Sequence, residues 1–160
     1  MSGFLFGGGS QPPEPTRYGS LQIQSATQGL PIPIIYGRVK TASNLIWYDN
    51  FKAIRHETTV GGKGGGSVTS VSYTYTTGII FGLGEGVMSL GQKVWKNQGI
   101  TSYADLGLLF YEGDTGQAPW GFTAIEYPDA ALSYSQIAYL CHSAFDLGSS
   151  NYTPQLWFEV

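Results

Sequence analysis

The stretch Val71 to Gly86, VSYTYTTGIIFGLGEG, leaves this chain few ways to fold. Its odd positions, Val71, Tyr73, Tyr75, Thr77, Ile79, Phe81 and Leu83, form a nearly unbroken apolar and aromatic row. Its even positions are small or polar apart from Ile80. A period of two marks a strand, because successive side chains point to opposite faces. At about 3.3 Å per residue such a strand runs roughly 40 Å, beyond the usual length of about 5–6 residues. A strand this long bends, and Gly78, Gly82 and Gly84 are where bulges are expected. The small-residue face lets another backbone come close.

The segments around it read as further strands. Ser20 to Thr27 alternates as a half-buried strand, and Ile34 to Tyr36 resumes one after Pro31 and Pro33. Asn44 to Phe51 is another, continuing toward Val60. Gly61 to Gly66, GGKGGG, then joins two strands as the tip of a long antiparallel hairpin, and Gly-rich chain is flexible. Asn97-Gln98-Gly99 predicts a turn. Thr101 to Leu106 predicts one helical turn with Thr101 or Ser102 as its N-cap. Leu108 to Tyr111 is a short buried strand, Glu112 to Trp120 a loop, and Gly121 to Tyr127 a brief helix stopped by Pro128. Ser135 to His142 and Leu156 to Val160 are the last strands. The expected fold is mainly β: antiparallel sheets or a partly closed barrel, with a long projecting hairpin and one or two short helices. Residues 1–18 read as an arm. Phe4-Leu5-Phe6 is an apolar peg on a Gly-rich and Pro-rich tether, and residues 19–160 form the β-rich domain.

Composition narrows the function. Charged residues make up 12% of the chain, about half the usual share of roughly 25%. That suits a protein whose surface is buried in contacts, and equally a β domain that is merely poor in charge. A net charge of −3 gives no footprint for phosphate backbones, so nucleic-acid recognition is disfavoured. No apolar run approaches the roughly 20 residues of a membrane-spanning helix. The single cysteine, Cys141, cannot form an internal disulfide, which points to synthesis in a reducing compartment.

No residue set reads as catalytic, and the chain is read as a non-enzyme that holds no metal or cofactor. Cys141 and His142 are adjacent, which in a strand sends them to opposite faces. Lys63 among glycines lacks the P-loop order, since Gly64 follows it and Glu57 stands where the first Gly belongs. Gly82, Gly84 and Gly86 miss the dinucleotide spacing. Glu112 and Asp114 share a turn without EF-hand spacing. Glu85, between glycines, reads as a buried carboxylate or a turn cap. The other reading is a carbohydrate-binding β module using Trp47, Trp95 and Trp120 as surface aromatics.

Several stretches together resemble the opening of tailed-phage tail hub proteins, also called baseplate hub or tail tip proteins. The family includes the tip protein of lambda-like phages and the hub of gene transfer agents. Gly29 to Phe51, GLPIPIIYGRVKTASNLIWYDNF, matches at Ile32, Pro33, Tyr36, Gly37, Asn44 to Tyr48 and Phe51, with Ser43 where Gly is more usual. Tyr73 to Gly86 is similar to the family's Tyr/Thr run ending in Glu-Gly. Gln117-Ala118-Pro119-Trp120, Tyr134, Ile137-Ala138-Tyr139, Leu147-Gly148 and Phe158-Glu159-Val160 follow in order. The resemblance implies a structural homotrimer in the virion's tail tip, made in the bacterial cytoplasm. It would close the end of the tail tube and join it to the tip or fibre apparatus. Such proteins run on for many hundreds of residues, so this chain is either the N-terminal part of a longer hub or a short version of one. On this reading the assembly interface uses Phe4, Leu5 and Phe6 of the arm, Gly62, Lys63 and Gly64 of the hairpin tip, and Tyr73 and Tyr75.

Overall fold

A computed structural model describes residues 12–23, 31–61 and 67–160. Eight strands lie among them, in two four-stranded antiparallel sheets. The main sheet has the order β2-β3-β7-β6, with β2 at Asn44–Gly61, β3 at Ser67–Glu85, β6 at Leu109–Tyr111 and β7 at Ile137–Gly148. The small sheet has the order β1-β8-β4-β5, with β1 at Lys40–Ala42, β4 at Val94–Lys96, β5 at Gly99–Thr101 and β8 at Leu156–Glu159. The barrel alternative is therefore corrected: β2 and β6 remain separate edges, and the core forms between layers.

The alternation in β3 dictates those layers. Its odd residues Tyr75, Ile79, Phe81 and Leu83 join Val94, Leu156 and Phe158 of the small sheet in one core. Ile80, on the opposite face, joins Trp120, Tyr139 and Cys141 in a second core, flanked by Trp47 and Phe122. That core lies under α1, Gly121–Glu126. The small sheet and the helix thus cover opposite faces of the main sheet. The small even face admits close neighbours, as the alternation predicts. A Cβ on Gly84 would lie 2.9 Å from both the Pro33 carbonyl oxygen and the Met88 Cε.

Bulges fall beside the expected glycines. The β2–β3 register slips between Asp49 and Lys52, next to Gly78, where Asn50 adopts φ 58°. The β3–β7 register slips at Thr77/Ile79 and again at Gly82/Gly84. Asn is one of the few side chains that tolerates this left-handed backbone. Its amide nitrogen reaches the Ser143 carbonyl on β7 at 3.4 Å.

Other expectations need correction. The Ser20–Thr27 strand, as far as Ile23, makes a single bridge from Gln22 to Tyr152, although Leu21 is buried as its alternation requires. Ile34 to Tyr36 makes one bridge, Ile34 to Glu85, because Pro31 and Pro33 have no N–H to extend a ladder. Thr101 ends β5, and the expected single helical turn follows it, closed by the Leu106 N–H on the Ser102 carbonyl at 3.3 Å without extending into a helix. Ser102 caps it: its hydroxyl accepts the Asp105 N–H at 3.1 Å and donates to the Asp105 carboxylate at 2.7 Å. The strand expected at Ser135–His142 begins at Ile137, since Tyr134 and Gln136 have φ of 47° and 62°. It then runs on to Gly148, past a bulge that interrupts its period.

Candidate assembly surface

Two strands paired along most of their length emerge from the body as a ribbon. β7 stops pairing with β3 at Gly148, opposite Tyr75. Beyond that point Ser67 to Thr74 have β2 as their only strand partner among the described residues, matched register for register from Ile54↔Thr74 to Gly61↔Ser67. Both edges of this outer ribbon are open among the described residues. At about 3.3 Å per residue it reaches roughly 25 Å.

The two ribbon faces differ. One carries Arg55, Glu57, Val71 and Tyr73, and the base of the arm lies on it. The Arg55 Nε meets the Glu14 carboxylate at 3.3 Å, and the Tyr73 hydroxyl also donates to Glu14. Arg55 also pairs with Glu57. The Tyr73 and Arg55 hydrogen bonds hold the Glu14 carboxyl below its ordinary range. The other face has no formal charge between Ile54 and Gly61. Val60 and Val68 sit directly opposite each other on it, 65% and 45% exposed. Thr58, Ser70 and Ser72 complete it, with His56 Nε2 2.7 Å from Thr74 Oγ1. An isolated two-stranded ribbon is marginal in water, and open edges invite further strands.

The predicted interface residues fall in three places. Phe4, Leu5, Phe6, Gly62, Lys63 and Gly64 lie outside the described residues. Tyr73 lies half-buried beneath Glu14. Tyr75 is 1% exposed and belongs to the core at the ribbon's root, stacked on Phe51 at 5.5 Å. Its hydroxyl accepts the Tyr18 N–H at 3.1 Å.

The other singled-out side chains are also placed. Cys141 is buried in the helix-side core, and desolvation pushes its thiol up to about 12, which favours the protonated thiol over the nucleophilic thiolate. His142 turns to the other face, against Phe145. Asp114 accepts the Gly116 N–H and the Thr115 hydroxyl, and these bonds lower its carboxyl. Glu85 is exposed, and its N–H donates to the Pro33 carbonyl. Trp120 is buried and Trp47 packs edge-on against it at 6.1 Å, so neither forms an open sugar platform. Trp95 lies on the outer face of the small sheet, with the Lys40 ammonium 4.4 Å from its ring centre. Among the described residues no three metal-ligating side chains converge, and no helix is long and apolar enough to cross a membrane.

Sequence reasoning missed Gln117 as a brace. Its Oε1 accepts the Gly113 N–H at 3.0 Å, and its Nε2 faces the carbonyls of Ser133, Tyr134 and Ile137 at 3.1, 3.1 and 3.2 Å. This ties the loop before α1 to the start of β7. There Tyr139 stacks on Tyr111 at 4.5 Å and meets Tyr134 at 5.5 Å. The Tyr139 hydroxyl is buried without a hydrogen-bond partner among the described residues, and desolvation keeps it protonated. Tyr139→Phe is therefore expected to stabilise the chain by about 1 kcal/mol, because it removes an uncompensated buried hydroxyl. A lower thermal midpoint for the variant would show that the hydroxyl is bonded in solution.

Two open antiparallel sheets and a projecting ribbon define a mainly β protein. No protein-family model matches the chain, and no curated protein does. Among solved structures, it is similar to a chain of the virion of a native gene transfer agent particle, at 27% identity and a TM-score of 0.60. The similarity covers 95% of this chain and 31% of that one, so this chain spans about a third of the length of its structural neighbour. The likeness supports a phage-like virion structural protein.

Proposed function

We propose that the chain is a hub module of a phage-like tail tip, a homotrimer that closes the tail tube and joins it to the tip or fibre apparatus. It acts through shape and chemically unreactive contacts rather than catalysis. The observation that carries this is the outer ribbon, whose two edges and uncharged face lie open among the described residues. A neighbouring copy or a tail-tube subunit supplies the cover such a ribbon needs. The likeness to a gene transfer agent virion and the order of the hub-like motifs support the same reading.

Shortening the hairpin tests it. A two-residue Asn-Gly turn joining Ile54 to Thr74 keeps the root of the hairpin and removes the ribbon. The intact chain is expected to show a trimer or larger mass by light scattering, alone or with tail-tube protein. The shortened chain is expected to remain folded and monomeric. An intact chain that stays monomeric and ignores tube protein, or a shortened one that assembles equally well, would sink the proposal.

A further inference from the structure

Opposite charges gather on parts of the two outer layers, cations on the strands β1 and β4 of the small sheet and carboxylates around α1. From Asn97 to Val160 there is no Lys or Arg, and of the seven carboxylates in this part Glu126 and Asp129 belong to α1 and the turn after it. The outer face of the small sheet is cationic. Arg38 is 81% exposed at its side chain, and Lys40 lies over the Trp95 and Trp157 rings at 4.4 and 5.1 Å. Exposed Lys93 precedes β4. The carboxylate facing them, Glu159, is 18% exposed and stands 4.0 Å from Arg38. Trp95 and Trp157 are cross-strand neighbours here, and Ile100, opposite Trp95, is 68% exposed.

The layer on the far side of the main sheet has the opposite character. Glu126 ends α1, Asp129 lies in the 3-10 turn that follows, and Asp49 sits beside the Tyr127 hydroxyl. Ile125 is 78% exposed among them. Lys52 is on this face of β2 by register, out toward the ribbon.

We infer that the cationic, Trp-bearing face of the small sheet docks on the acidic α1 face of a second copy of this chain. This rests on the proposed reading that copies assemble, and it names the faces that meet. The two faces are different and lie on opposite sides of the body, so the contact is head-to-tail. Such contacts generate rings when the rotation closes. Each face has aromatic or aliphatic side chains beside its charges, the composition of an interface centre, and complementary charge sets partner and register.

Charge reversal tests the inference on the full chain. K40E/K93E and E126K/D129K are each expected to weaken self-association about tenfold or more, as is raising the salt from about 0.05 to 0.5 M. The quadruple variant restores opposite signs between the four reversed positions and should recover association, which also shows that the reversals leave the fold intact. Circular dichroism checks each double variant directly. An oligomer whose mass ignores salt and both double variants overturns this inference and leaves the ribbon as the assembly element. A chain that stays monomeric with and without tail-tube protein overturns the assembly reading itself.

Discussion

Gly113→Ala is expected to destabilise the chain by about 4 kcal/mol, enough to prevent folding of a marginal domain. Gly113 is buried with φ +88°, where an L side chain is strained. Its new Cβ would press on the Gly86 carbonyl oxygen, lie 2.8 Å from the Ala138 nitrogen and 3.1 Å from the Ile137 carbonyl carbon. All three are backbone atoms, so no rotamer change relieves the contact. They belong to the exit of β3 and the entry of β7, where the Gly86 N–H also donates to the Gln136 carbonyl at 2.7 Å. Moving them apart therefore strains the central ladder. Gly116→Ala in the same loop is the control, because a Cβ there meets nothing within 4 Å. It should stay within about 0.5 kcal/mol of the parent. Urea unfolding of the pair gives the comparison, and equal midpoints would refute the steric argument.

Gln117→Ala should cost about 3 kcal/mol. One amide serves four backbone groups there: its oxygen takes the Gly113 N–H, and its two N–H groups are shared among three carbonyls. Truncation leaves those groups partly buried with fewer partners, and it releases the segment in which Tyr134 and Gln136 are held at positive φ. Gln117→Glu is the sharper variant. Its size is right, but a carboxylate cannot donate to carbonyls, so its cost should grow as pH rises through the carboxyl range. An Ala variant as stable as the parent would mean that Gln117 does not brace this loop.

These two residues show where sequence reading runs out. The β2–β3 hairpin was legible because its period of two persists over many residues and glycines mark its bulges. The second half of β7 was not, because the bulge between His142 and Phe145 shifts the alternation and hides the strand. β1 is three residues long and takes its identity from β8, far along the chain. Gln117 reads as a loop residue until Gly113 and Ile137 are brought beside it. The motif order Gln117, Tyr134, Ile137 to Tyr139 was visible, and in the structure Gln117 bonds the backbone carbonyls of Tyr134 and Ile137 while Tyr139 packs on the Tyr134 ring. The cations visibly end at Lys96, but counting along the chain does not give the layers, because β5 and β8 of the small sheet lie in the cation-free part.

The hairpin also has a mechanical consequence. Beyond the contact of Glu14 with Arg55 and Tyr73, its outer half has no cover among the described residues, while its inner half is clamped between two cores and laddered to β7. Tension applied along the strands loads many ladder hydrogen bonds at once, so they resist together in shear. A sideways pull at the free end peels them one pair at a time. The same element is therefore stiff along its axis and compliant across it. A ring of such beams would transmit axial force from one stage of an assembly to the next while tolerating lateral misalignment between them.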